Sequence, residues 1–157
     1  MNKFEKLCQD ASDADVEIID YQFSSDRIKG LYCDGTIAID INMHAESEKA
    51  CVLAEELGHH YTTVGDIIDQ SSFGNRKQER RARLWAYQNM ISLRDIVDSY
   101  KSGCQNQYEI AEHLEVTEEF LVDCINCYKE KYGICTRFEN YLIYFDPLGV
   151  LEFTNNQ

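Results

Sequence analysis

Between Ala50 and Tyr61 apolar residues return at three- and four-residue steps (Ala50, Leu53, Ala54, Leu57, Tyr61), the period of a helix with one buried face. Two acids and two histidines are set into that stripe, in the run Ala54-Glu55-Glu56-Leu57-Gly58-His59-His60. Residues four apart on a helix differ by about 40° in azimuth, so Glu55 shares a face with His59 and Glu56 with His60. Any fold for this chain must therefore pack a helix that carries titratable groups at the margin of its buried face.

A divalent metal takes two ligands from one helix at this spacing because the side-chain heads converge. Zinc proteases of the His-Glu-x-x-His type use it, with the glutamate beside the first ligand as general base. Here Glu55 holds the first-ligand position, Glu56 the base position and His59 the second-ligand position. Glu79 is the candidate third ligand. It continues into the stripe Ala82, Ala86, Met90 and Leu93, and so is expected to face the core, where a carboxylate needs a partner or a metal. The small Ala82 and Ala86 would let this second helix approach the first closely. His60 becomes a substitute ligand if the motif helix turns by one residue. The competing reading is a solvated face without metal, since acids near a helix N-terminus suit its dipole.

The rest of the chain reads as an α+β fold. A short helix at 4–11 precedes segments 16–23, 28–33 and 36–41, rich in Ile, Val, Tyr and Phe, with Asp34-Gly35 as a tight-hairpin signal. They predict a small, largely antiparallel sheet. A loop over 63–76 leads to a second helix expected from about Lys77 to Tyr100, broken by Gly103. Segments 106–114 and 117–132 form a C-terminal helix pair, the second capped by Thr117, and 141–153 closes the chain as a short hairpin. One proline and eight glycines leave no long linker.

The chain carries 28 acids against 15 Lys and Arg, for a net charge of −13. That argues against direct nucleic-acid binding, which needs clustered cations, and suits a partner with a neutral or basic surface. The helix pair has a helix-turn-helix packing pattern, but its second helix begins Thr117-Glu118-Glu119 and would repel phosphates. No apolar run approaches the ~18 residues of a membrane span. Residues 1–15 lack the apolar stretch of a signal peptide, so a cytoplasmic location is expected. The seven cysteines follow no regular framework. Cys124 and Cys127 lie on the stripe of Phe120, Leu121 and Tyr128 and are expected to pack as core, not to form a second metal site with Cys135 and His113. His44 reads as a loop residue. Thr62, Thr63 and Asp66 are placed either to hydrogen-bond the ligands or to cap a loop. Arg76, Lys77, Arg80, Arg81 and Arg83 form the basic cluster.

The run 53–62, with Asn75-Arg76-Lys77-Gln78-Glu79-Arg80-Arg81-Ala82 and Trp85-Ala86 downstream, resembles the ImmA/IrrE family of metallo-endopeptidases, its phage- and mobile-element-encoded members in particular. The resemblance covers about residues 21–132, including Gly30-Leu31-Tyr32 and Ile37-Ala38-Ile39-Asp40. It implies a metallopeptidase-like domain over 1–102, with 103–157 as an appendage. By position it implies His59 and Glu79 as ligands and Glu56 as catalytic base. Glu55 stands where the family has its first histidine. Two carboxylate ligands would offset a metal's charge, so zinc could give way to manganese or iron. The implied partner is a helix-turn-helix repressor, cleaved by the enzyme or, in the alternative, bound stoichiometrically by a non-catalytic antirepressor.

Overall fold

The computed structural model describes residues 1–63 and 72–153, with Thr63 and residues 72–75 described as backbone. The chain forms two compact units, Met1–Asn89 and Met90–Gln157.

In the first unit, α1 (Lys3–Asp13) starts at a reciprocal cap in which the Asn2 side chain accepts from the Glu5 backbone N–H and Glu5 accepts from that of Asn2. The strands β1 (Glu17–Tyr21), β2 (Gly30–Cys33) and β3 (Thr36–Asp40) form a sheet in the order β1-β3-β2. β2 and β3 pair antiparallel around Asp34-Gly35, where φ is 47° and 81°, the double positive φ of a two-residue hairpin. β1 runs parallel to β3, with Ile18 beside Ile37 and Ile19 beside Ala38. The antiparallel expectation thus holds for the hairpin, and β1 makes the sheet mixed. Ile37 and Ile39 are buried under α2 (Glu46–Thr63), which also buries Leu53, Ala54 and Leu57. α3 (Ser72–Met90) buries Ala82, Ala86 and Met90.

The expected long helix to Tyr100 is two helices. α3 begins at Ser72 and ends at Met90, and Ser92 caps a separate α4 (Leu93–Lys101) by exchanging hydrogen bonds with Asp95. An extended Ser92 cannot continue a helix, although the apolar stripe runs on through Val97. In the second unit α5 (Gln107–Leu114) and α6 (Glu118–Tyr132) start at the caps Asn106 and Thr117. The chain closes as three antiparallel strands, β4 (Cys135–Phe138), β5 (Tyr141–Phe145) and β6 (Leu148–Glu152), one more than the expected hairpin. α4 packs on β5 and β6, and the Tyr128 hydroxyl donates to the Ile91 carbonyl.

Among the described residues, no helix is long and apolar enough to cross a membrane. Cys124 is fully buried, and burial raises its thiol pKa, as core packing requires. Cys135 and His113 are exposed.

Candidate functional site

Two glycines bring the relevant elements together. A Cβ on Gly58 would run into the Ala82 carbonyl, so α2 and α3 meet backbone to backbone there. A Cβ on Gly30 would stand 2.6 Å from Val52 Cγ1 and 3.1 Å from Glu56 Cγ, so β2 lies directly against the motif stretch of α2.

His59 and Glu79 meet across the helix contact, with Nε2 and Oε1 3.2 Å apart. The other Glu79 oxygen is 4.0 Å from Arg83 Nε. Glu79 does not face the core as expected. Its side chain is 52% exposed, against 22% for His59. The reason is local: α3 is pressed to α2 at Ala82, and Glu79, a turn earlier, lies at the rim of that contact, where a long side chain reaches outward.

Glu56 is the more buried carboxyl. Burial pushes its pKa up from 4.5 to about 7, and the charges of Glu55 and Glu79 add to the rise. The Tyr32 backbone N–H donates to it and opposes the shift. Tyr32 also reaches α2 through its side chain, its hydroxyl 2.8 Å from His60 Nδ1, while the Gly35 N–H donates to the same hydroxyl at 3.2 Å. The structure thus gives His60 a partner on β2. Next to it, Tyr61 stacks on Trp85 of α3, the ring centroids 5.0 Å apart.

Of the predicted ligands, then, His59 and Glu79 come together. Glu55 sits one turn before His59, close enough for its charge to raise Glu56. Among the described residues no group of three or more His, Cys, Asp or Glu is placed to hold a metal ion. The donor chemistry nevertheless suits a divalent cation, because the charges of Glu55 and Glu79 raise the cost of ionising Glu56 beside the His59 imidazole. Thr62 donates back to the Gly58 carbonyl of its own helix, and His44 lies in an exposed loop. Thr63 is described only as backbone, Asp66 lies outside the described residues, and so does most of the loop expected over 63–76.

Tyr32 is the residue that sequence reasoning missed as part of the site. A glycine two residues earlier, inside a strand of β-formers, was the available signal, since it marks a close backbone approach.

The sequence model of a peptidase family, described as the IrrE N-terminal-like domain, matches residues 11–125. No curated protein and no solved structure matches the chain.

Proposed function

The chain belongs to the IrrE N-terminal-like family, and from that premise we propose that it is a metal-dependent endopeptidase that cleaves a helix-turn-helix repressor and so relieves transcriptional repression. The observation that carries this reading is the half-hidden carboxyl of Glu56, with its pKa near 7, next to the His59–Glu79 pair. His59, Glu79 and Glu55 would hold zinc, or manganese or iron. When bound, the metal supplies Lewis-acid polarisation of a peptide carbonyl. Glu56 takes the proton of the attacking water on its carboxylate and passes it to the departing amine. Burial raises this carboxyl's affinity for the proton above that of an ordinary glutamate, which favours its accepting it. The Tyr32 N–H holds that carboxyl in place throughout.

The test is cleavage of a purified repressor of this class. Glu56→Gln should reduce turnover by about 10²–10⁴-fold, and unaltered turnover would contradict the assignment. A second reading is favoured by Glu55 itself, whose carboxylate offsets metal charge that a neutral imidazole would leave available. On that reading the chain binds the repressor stoichiometrically, and Glu56→Gln leaves repressor release intact.

A further inference from the structure

Among the described residues, the sheet of the first unit is covered on one face only. Residues paired across a sheet share a face, so Ile37 and Ile39, both buried, set Ile18 and Tyr32 on the α2 side. The opposite face carries the row Ile19–Ala38–Leu31, with Tyr21 beyond it. These residues are not sealed off. Ile19 is 38% exposed, Tyr21 53% and Leu31 53%, and Ile28, just before β2, is 43% exposed, too many large apolar side chains on and beside one small sheet for incidental scatter. With Phe23, whose ring centroid lies 4.9 Å from that of Tyr21, they line a shallow concavity of about 470 Å³.

The rim of this face is acidic. Glu17 heads the neighbouring row, Asp40 pairs with Tyr21, Asp34 stands at the hairpin tip, and Asp26 lies two residues before Ile28. The cations nearby are Arg27 and Lys29, and Lys29 is held by Glu48 at 2.6 Å. A second copy of this chain would set two acidic rims together on molecules of net charge −13. Nucleic acid and anionic membrane are repelled on the same ground.

We infer that this open face docks a polypeptide segment that presents large apolar side chains flanked by Lys or Arg. A DNA-binding repressor is a protein of that chemistry, so the surface would hold the substrate away from the bond being cut; that identification rests on the function proposed above. Charge complementarity decides the partner, and the apolar row supplies the contact.

The test uses the full chain carrying Glu56→Gln, so that binding is read without turnover. The probes are a short synthetic amphipathic helix of leucine and lysine, and the same helix with glutamate for lysine. Backbone amide shifts should concentrate on β1, β2 and β3 with the Leu/Lys helix and be absent with the Leu/Glu helix. Leu31→Asp and Glu17→Lys, both at exposed positions, should each weaken binding by about tenfold. Unchanged circular dichroism would show that both variants fold. Shifts mapped elsewhere, equal binding of the two helices, or variants that bind like the parent would overturn the inference. So would a dimer, seen by sedimentation, that Leu31→Asp dissociates, since a second copy would then be the occupant. Docking without any repressor cleavage would leave this surface standing and remove the peptidase reading alone.

Discussion

Replacing Glu56 by glutamine should stabilise the metal-free protein, and by an amount that depends on pH. Glu56 keeps its proton to about pH 7 in the fold, against 4.5 for an ordinary glutamate. Below pH 4.5 the carboxyl is neutral in both states. Between 4.5 and 7 the unfolded chain ionises while the folded one stays protonated, so unfolding releases a proton and stability falls as pH rises. Above 7 the loss is complete, and the gap between the two pKa values corresponds to about 3 kcal/mol. Glutamine keeps a carbonyl oxygen for the Tyr32 N–H but cannot ionise. Glu56→Gln and the parent should therefore unfold alike near pH 4.5 and diverge toward pH 8, the variant ending about 3 kcal/mol more stable. The assay is urea unfolding in chelator across that range, followed by fluorescence. The single tryptophan, Trp85, stacks on Tyr61 beside the site and reports on this unit. A difference that does not vary with pH, or a variant less stable at pH 8, would show that Glu56 is not a desolvated carboxyl crowded by its neighbours.

Two further substitutions test the framework of the site. Gly58→Ala gains helix propensity but must push α2 away from the Ala82 carbonyl, and should cost about 1–3 kcal/mol in the same urea assay; a more stable variant would mean the helices are not in backbone contact. Tyr32→Phe removes the hydroxyl shared by His60 and the Gly35 N–H, and should cost about 1 kcal/mol and alter the His60 imidazole resonances in NMR. Unmoved resonances would break the proposed link between β2 and α2.

The features readable from sequence were those fixed by local chemistry. Asn106 and Thr117 start helices where their side chains can cap them, and Asp34-Gly35 turns the hairpin because both residues take positive φ. Ser92 caps α4 by equally local chemistry, yet the apolar stripe continuing across it suggested one helix. The parallel placement of β1 beside β3 depends on which strand edge is free after the hairpin forms, and no residue in 17–21 encodes that. β4 is a short alternation of half-buried and exposed residues, too weak a pattern to read before its partner is known. In the site, helical spacing put Glu55, Glu56 and His59 on neighbouring faces, and Glu79 does reach His59. The depth of Glu56 and the exposure of Glu79 follow from how closely glycine lets β2 and α3 approach α2, a tertiary fact.

We propose His59 and Glu79, 3.2 Å apart, as two ligands of one metal. Its most direct test is the metal content of the protein purified without chelator, measured beside Glu79→Ala. Stoichiometric zinc, manganese or iron is expected in the parent, and its loss in the variant. A parent protein free of metal, or a Glu79→Ala variant that retains the same amount, would contradict it.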